Sequence, residues 1–268
     1  MKLDLNAYFT RIGYVGAHEP TYSVLSSLHE LHPSAIPFEN LDPLLGRTVH
    51  IDLASIEAKL VRGRRGGYCY EHNSLFCQAL AALGFNTTPL AARVILRWQE
   101  GQPRPALTHR LTLVELPEGV FIADVGFGGQ SPTSPLKLEH GLEQSTSHGT
   151  YRILQSEEIH ELQWNSEGTW SGLYRFTLEP QGPVDFAMSN WFTSAHPSSH
   201  FRHNLLASKV EGDARLNLLN TRLTMRRSVK SEERTVSTPE DLDRVLREQF
   251  GIDPPEPINA LWERIPKT

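Results

Sequence analysis

Residues 65–73 place a cysteine where it can act as a nucleophile. They read Arg-Gly-Gly-Tyr-Cys-Tyr-Glu-His-Asn, and apolar residues then recur at the three- and four-residue spacing of a helix that ends near Gly84. Cys69 therefore falls in the first turn of this helix. Because the unpaired N–H groups and the positive dipole end of a helix start favour thiolate over thiol, we expect a lowered pKa for Cys69.

The second cysteine, Cys77, lies eight positions further along the same predicted helix. At 1.5 Å rise per residue the two are roughly 12 Å apart. This distance is too long for a disulfide. A free cysteine is commonly a small buried hydrophobic residue, and we interpret Cys77 in this way.

A cysteine nucleophile needs a base and a group that orients the base. His109 begins an alternating strand of residues 109–116, residues 117–119 turn the chain, and Asp124 lies near the end of a second strand of residues 120–125. His109 and Asp124 are not directly opposite each other in this hairpin, so we expect them to meet diagonally, helped by a bulge. Cysteine on a helix with histidine and aspartate on strands is typical of a papain-like thiol site.

Five ordered segments resemble motifs of the arylamine N-acetyltransferases, in particular those of the prokaryotic type. They are residues 37–41, 65–73, 108–111, 124–128, and 190–194 with 200–201. The resemblance implies that Cys69 is the acetyl-accepting nucleophile, His109 its base and Asp124 the residue that orients the base. It implies an acyltransferase of xenobiotic metabolism, with acetyl-coenzyme A as co-substrate, which N-acetylates arylamines and arylhydrazines by a ping-pong mechanism through an acetyl-cysteine.

The same resemblance implies binding residues for both substrates. The acceptor ring would lie against four apolar side chains, Phe38, Val94, Phe127 and Phe201. Coenzyme A would approach the backbone at three glycines, Gly126, Gly128 and Gly129. As a glycine motif alone this segment is weak, and a turn is the alternative interpretation, because it lacks the spacing of a P-loop.

Arg62, Arg64 and Arg65 form a basic cluster that invites interpretation as a phosphate clamp. We favour a structural role for Arg65, which the resemblance pairs with Glu39 beneath the active site.

Two histidine-rich segments raise the alternative of a metal site. His29 and His32 are three residues apart rather than the four of the zinc-protease motif. His196, His200 and His203 come with no cysteine or carboxylate. We therefore predict no structural or catalytic metal.

The order of patterns along the chain predicts an α+β protein. Residues 1–85 are expected to form a helical bundle that carries the cysteine, with Thr21 and Asp52 as helix caps. Residues 86–182 change to strands, as in an antiparallel β-barrel, and carry the histidine and aspartate. Residues 183–268 are mixed, with a last helix capped by Thr238 and ended by Gly251. The resemblance makes the last part an α/β lid and puts the Cys-His-Asp core where the first two parts meet.

Composition agrees with a cytoplasmic enzyme. The apolar fraction of 39% and charged fraction of 21% are ordinary for globular proteins, and a net charge of −5 gives no sign of nucleic-acid binding. No apolar run is long enough for a signal peptide or a membrane span. We expect reduced thiols, no membrane partner, and a monomer or homo-oligomer.

Two rival functions use the same sequence features. A thiol hydrolase or an amide synthase of the same fold would carry the same three residues. A binding protein with an inert thiol is a second alternative, and slow alkylation of Cys69 would distinguish it.

Overall fold

The computed structural model describes residues 2–227 and 230–267. The fold is α+β, as predicted. Eight α-helices are present in this part of the chain: α1 Leu5–Ile12, α2 Tyr22–Ala35, α3 Leu41–Leu45, α4 Leu53–Ile56, α5 Cys69–Ala82, α6 Pro183–Ala195, α7 Pro239–Arg244 and α8 Ile258–Arg264. A π-helical turn extends α4 through Glu57–Arg62 and α7 through Val245–Phe250. A 3-10 turn at His200–Arg202 lies between α6 and β10.

Thirteen strands are described. They are β1 Phe38–Glu39, β2 Asn86–Val94, β3 Leu107–Leu116, β4 Gly119–Ala123, β5 Leu136–Lys137, β6 Gln144–Thr146, β7 Gly149–Ser156, β8 Ile159–Ser166, β9 Thr169–Phe176, β10 Leu206–Glu211, β11 Ala214–Leu219, β12 Arg222–Arg227 and β13 Lys230–Thr235. Strands β2 to β9 form one antiparallel sheet in the order β5-β4-β3-β2-β9-β8-β7-β6. The other five strands form a second sheet in the order β1-β10-β11-β12-β13.

Three of the N-terminal helices, α2, α4 and α5, begin at the predicted positions. The Thr21 side chain accepts a hydrogen bond from the N–H of Val24, and Asp52 accepts one from Ser55, so each satisfies an N–H that a helix start leaves free. Helix α5 starts at Cys69, and Gly84 follows it with a φ of +88°, a backbone conformation that favours glycine. Most of α5 is buried, so it is the central helix of the bundle.

The eight-stranded sheet is nearly closed into a barrel. Its two outer strands, β5 and β6, are joined by the Gln144 amide, which accepts from the Lys137 N–H at 2.7 Å and donates to the Lys137 carbonyl at 3.0 Å. Strands β5, β6 and β8 were not predicted from the sequence. The first two are very short, and the inward side of β8 begins with the polar His160 before Leu162, which disturbs the apolar alternation.

The hairpin of β3 and β4 sets the offset between the predicted base and carboxylate. Thr112 pairs with Ala123, so Asp124 comes directly after the strand and His109 lies two residues beyond the position opposite it. The diagonal relation is therefore confirmed. The ladder is regular from Thr112 to Leu116, and the bulge of this region lies instead between β2 and β3, at Ala92 and Arg93.

The C-terminal part contains the second sheet and its helices. Thr238 caps α7, Pro239 is its first residue, and Gly251 with a φ of +70° ends the following turn, as predicted. From their sequence pattern, residues 216–226 are predicted to form a single strand, and this prediction is wrong. The chain turns at Asn220, whose φ is +55°, and forms the hairpin β11–β12. Strand β13, which was not predicted, is exposed along its whole length at the outer side of the sheet.

The predicted domain boundaries at residues 85/86 and 182/183 fall in connecting segments. The division into three domains stays a proposal, because β1 of the N-terminal part pairs with β10 of the C-terminal sheet. In the described residues, no helix combines the length and the apolar character needed to cross a membrane.

Candidate active site

Cys69, His109 and Asp124 meet where α5 packs on the barrel. His109 Nε2 donates to Asp124 Oδ2 at 2.7 Å, and both side chains are buried. Cys69 Sγ donates to the carbonyl of Thr108, the residue before His109, at 3.7 Å. Because Nε2 is used by Asp124, Nδ1 is the ring nitrogen that is left to accept the thiol proton. The structure thus brings the three predicted residues to one place.

Asp124 is a fully buried carboxylate that is held in its charged form. Burial alone would raise its pKa, but the His109 ring and hydrogen bonds from His109, Asn73 and the Gly126 N–H outweigh burial and hold the pKa below its usual value. Its Oδ1 accepts from Asn73 Nδ2 at 2.8 Å and from the Gly126 N–H at 3.0 Å. Asp124 therefore has a fixed orientation towards His109.

The surroundings of Cys69 correct one expectation. Burial raises the pKa of the Cys69 thiol, the Asp124 carboxylate raises it further, and the backbone N–H groups of Arg110 and Tyr70 lower it only in part. The prediction of a lowered pKa from the helix start alone is therefore wrong. A thiolate can form here only together with an imidazolium on His109, because that transfer leaves the buried pair neutral overall and gives Asp124 a cation to stabilise.

A buried network of charges lies beneath the start of α5. Arg65 pairs with Glu39 at 2.6 Å, as the resemblance implied, and with Asp42 at 3.4 Å, and Lys59 pairs with Asp42 at 2.6 Å and with Glu71 at 2.7 Å. Glu71 Oε2 also accepts the N–H of Tyr68, which caps α5. The network therefore fixes the first turn of the helix that carries Cys69.

Three of the four predicted pocket residues surround the site. The ring of Phe127 lies edge-on to His109 at 5.2 Å, while Phe38 and Phe201 contact each other at 6.4 Å in the apolar cluster that contains Cys69. Val94 is half-buried at the end of β2, directly opposite Tyr174. Tyr174 in turn contacts His109 at 5.0 Å.

The three predicted glycines are packed closely against protein atoms. A Cβ on Gly126 would lie 3.1 Å from the Cα of Cys69, and one on Gly129 would lie 2.6 Å from Asn217 Oδ1. Gly128 has a φ of +87° and faces the ring of Phe38. Packing therefore explains glycine at 126 and 129, and the positive φ explains it at 128.

Asn73, Tyr174 and Arg110 belong to the site but were not predicted as site residues. Asn73 donates to Asp124 and accepts from the Val125 N–H at 3.0 Å, and Arg110 lies over the Phe186 ring at 4.2 Å. The position of Asn73 four residues after Cys69, on the same helix face, was a usable signal. Tyr174 gave none, because its strand was recognised only as part of the barrel.

Three buried histidines, His29, His32 and His72, lie behind the triad. Burial lowers the pKa of His29 and of His72 to about 4, so both are neutral near pH 7. In the part of the chain that the structure describes, no group of three or more histidine, cysteine or carboxylate side chains is arranged to hold a metal ion.

Comparisons with known proteins agree on one family. A family model described as N-acetyltransferase matches residues 21–256. An arylamine N-acetyltransferase of Escherichia coli is 44% identical over 92% of this chain and 88% of its own. A Salmonella typhimurium relative described as arylamine N-acetyltransferase / N-hydroxyarylamine O-acetyltransferase is 42% identical over 92% of this chain and 88% of its own. The structure of Mycobacterium marinum arylamine N-acetyltransferase in complex with CoA superposes with a TM-score of 0.93 at 40% identity, covering 97% of this chain and 98% of that one.

The substitution Arg65→Met should lower the free energy of unfolding by about 3–5 kcal/mol, because it leaves Glu39 buried without its counter-charge. Arg47→Met is the matched control. Arg47 pairs with Glu256, but both side chains are about 40% exposed, so we expect a cost under ~1 kcal/mol. Urea unfolding measures both, and equal effects of the two substitutions would contradict the role given to the buried network.

His29 and His72 predict a loss of stability in mild acid. The pKa of about 4 that each has in the folded chain lies below the unfolded value of 6.5, so between these values the unfolded chain binds protons that the folded chain does not. The contribution of these histidines to the free energy of unfolding is complete above pH 6.5. Below that pH it falls by about 1.4 kcal/mol per pH unit for each histidine. Burial raises the pKa of Glu71, which acts in the opposite sense and reduces the net loss. Unfolding free energies measured at pH 7, 6 and 5 should decrease steadily, and a flat profile would contradict this.

Proposed function

The chain belongs to the arylamine N-acetyltransferase family, and from this we propose that Cys69, His109 and Asp124 perform acetyl-coenzyme A-dependent N-acetylation of arylamines and arylhydrazines. One observation carries the proposal. A buried histidine that donates through Nε2 to a charged aspartate at 2.7 Å lies next to a cysteine in the first turn of a buried helix. This arrangement suits acyl transfer through a covalent thioester.

In the first half-reaction the Cys69 proton passes to His109 Nδ1 and the thiolate attacks the thioester carbonyl of acetyl-coenzyme A. An S–C bond forms, the carbonyl electrons move to oxygen, and their return expels the coenzyme A thiolate. His109 returns its proton to that thiolate. Asp124 keeps the ring oriented and stabilises its positive charge during the step, so the products are acetyl-Cys69 and free coenzyme A.

In the second half-reaction the amine nitrogen attacks the acetyl-cysteine carbonyl while His109 takes up the amine proton. The C–S bond breaks and Cys69 leaves as the thiolate. His109 then passes the proton to this thiolate, so that both side chains are neutral again. Arylamines and arylhydrazines suit this site because they are already neutral near pH 7, whereas an alkylamine is mostly protonated and lacks a free electron pair. The Salmonella relative's name adds N-hydroxyarylamine oxygen as an acceptor of the same kind.

Both tetrahedral intermediates carry an oxyanion that needs N–H donors. The Cys69 N–H at the start of α5 is the first donor we propose, since the initial N–H groups of a helix have no partner within it. The N–H groups of Tyr70 and Arg110 are directed at Sγ and serve the thiolate instead.

The acceptor ring is proposed to bind against Phe38, Phe127 and Phe201, with Val94 further along the same wall. The contact of Phe127 with His109 supports this, because a ring held there has its nitrogen close to the base. Coenzyme A is proposed to approach the backbone of Gly126, Gly128 and Gly129 on the side away from their packing contacts. We also propose a cytoplasmic location, which the two free cysteines support.

Brief incubation with acetyl-coenzyme A and no amine should add one acetyl group, seen as a mass increase of the intact protein. Cys69→Ala should abolish the adduct, and the matched control Cys77→Ala, eight residues along α5, should retain it. 4-Aminobenzoate or a hydrazine should then remove the acetyl group. If Cys69 is rapidly alkylated but never acetylated, the donor is wrong and the amide synthase or hydrolase becomes the better interpretation. Rapid loss of the acetyl group to water would favour the hydrolase.

Because burial raises the thiol pKa, the reactivity of Cys69 should depend on His109. His109→Gln keeps a donor for Asp124 but provides no base, so alkylation of Cys69 by iodoacetamide at pH 7 should become about 10²-fold slower. Mass spectrometry of the labelled protein measures the rate. An unchanged rate in a folded variant would mean that the helix start alone activates the thiol.

A further inference from the structure

Helix α2 presents two fully buried histidines, His29 and His32, to the active site. They are one turn apart, and both rings lie edge-on to the ring of Phe76 on α5, at 5.6 and 5.5 Å. The proposed reaction uses neither of them. Each makes a hydrogen bond that leads to a different member of the triad.

His29 holds the backbone of Asp124. Its Nε2 accepts the Asp124 N–H at 3.1 Å, which requires an unprotonated Nε2 and a neutral ring. Strand β4 ends at Ala123, so this N–H comes directly after the last strand residue. The bond therefore fixes the peptide from which the Asp124 carboxylate projects towards His109.

His32 is connected to the helix of Cys69 through His72. His72 Nε2 lies 3.1 Å from the Pro37 carbonyl, which can only accept, so the proton of His72 is on Nε2 and its Nδ1 is an acceptor. His32 Nε2 must then be the donor in its 2.9 Å bond to His72 Nδ1, and the Tyr8 hydroxyl must donate to His32 Nδ1 at 2.9 Å. These hydrogen bonds therefore all point in one direction, from Tyr8 to Pro37, and both histidine rings are neutral.

This series of hydrogen bonds ends next to the nucleophile and next to the proposed binding wall for the acceptor ring. His72 lies one turn after Cys69, and Phe38, the residue after Pro37, stacks on the His72 ring at 6.3 Å with an angle of 17° between the planes. A change at His32 is thus passed to the first turn of α5 and to Phe38. A change at His29 is passed to Asp124.

We propose that His29 and His32 are positioning residues that set the spacing of the triad from one helix, His29 by holding the Asp124 peptide and His32 by holding His72. The inference rests on the proposed function, since it concerns the alignment of the same three residues. Three of the four ring nitrogens of His29 and His32 are used in these bonds, and the fourth, Nδ1 of His29, carries the proton of its ring.

The test compares substitutions that keep or remove the hydrogen bond at the same side-chain length. His29→Gln has a carbonyl oxygen that can accept the Asp124 N–H, and His32→Gln has an amide N–H that can donate to His72. His29→Met and His32→Met have neither. His50→Met, at an exposed histidine, is the matched control. The readouts are the maximal rate and half-saturation of single-turnover acetylation of Cys69, with thermal unfolding measured alongside.

We expect the Met variants to lower the maximal rate about ten- to hundredfold with half-saturation within about twofold, because a small misplacement of the triad reduces the rate of chemistry rather than donor binding. The Gln variants should stay within a few-fold of the wild type, and His50→Met should be unchanged. Met and Gln variants that are equally slow and equally stable would overturn the inference. If the Met variants do not fold, the Gln variants decide the test. A folded His29→Gln variant whose maximal acetylation rate is tenfold or more below that of the wild type would also overturn the inference.

A failure of the proposed function is recognised separately. If the wild type is not acetylated at all, the donor is wrong, whatever the variants do. The rate of Cys69 alkylation by iodoacetamide as a function of pH then replaces acetylation as the readout, because it reports the thiol and His109 without any donor. The same order, with Gln close to the wild type and Met slower, is expected, and its absence would overturn the inference.

Discussion

The charge of Asp124, buried without access to water, is the constraint on which the rest of the site depends. A buried carboxylate stays ionised only if several donors are aimed at it, and here they come from His109 on β3, from Asn73 on α5 and from the Gly126 N–H. Each donor fixes one structural element to the same point. The requirement of one charge therefore aligns the barrel with the helix that carries the nucleophile.

The thiol and the charged network respond to this constraint in different ways. Because Asp124 and burial both oppose an isolated thiolate, reactivity at Cys69 is coupled to the charge state of His109 and cannot arise from the helix dipole alone. The buried charged network lies beneath the helix start and caps α5 through Glu71. It fixes the position of Cys69, whereas His109 provides the base. Activation and placement of the nucleophile are thus supplied by separate sets of residues.

Local patterns in the sequence were sufficient for the parts of the structure that depend on neighbours in the chain. Caps at Thr21, Asp52 and Thr238, the helix after Cys69 and the diagonal offset of His109 and Asp124 follow from spacing and were predicted. The predictions that failed concern features that depend on residues far away in the sequence. The hairpin turn at Asn220 lies between two stretches of alternating apolar residues, so the two strands look like one. His160 on the inward side of β8 obscures the pattern of that strand, and the pKa of Cys69 is set by burial that only the assembled fold creates. The roles of Asn73 and His29 lie in the same class, because each is defined by a bond to a residue about 50 or 95 positions away.

Strand β13 has a further consequence for the behaviour of the protein at high concentration. It is the free border of the second sheet, and its residues Lys230, Glu232, Glu233 and Arg234 are all exposed. A strand from another molecule that added to this border would bring its own side chains against a row of hydrated charges of both signs. Edge-to-edge polymerisation at β13 is therefore disfavoured by the charges that this strand itself carries.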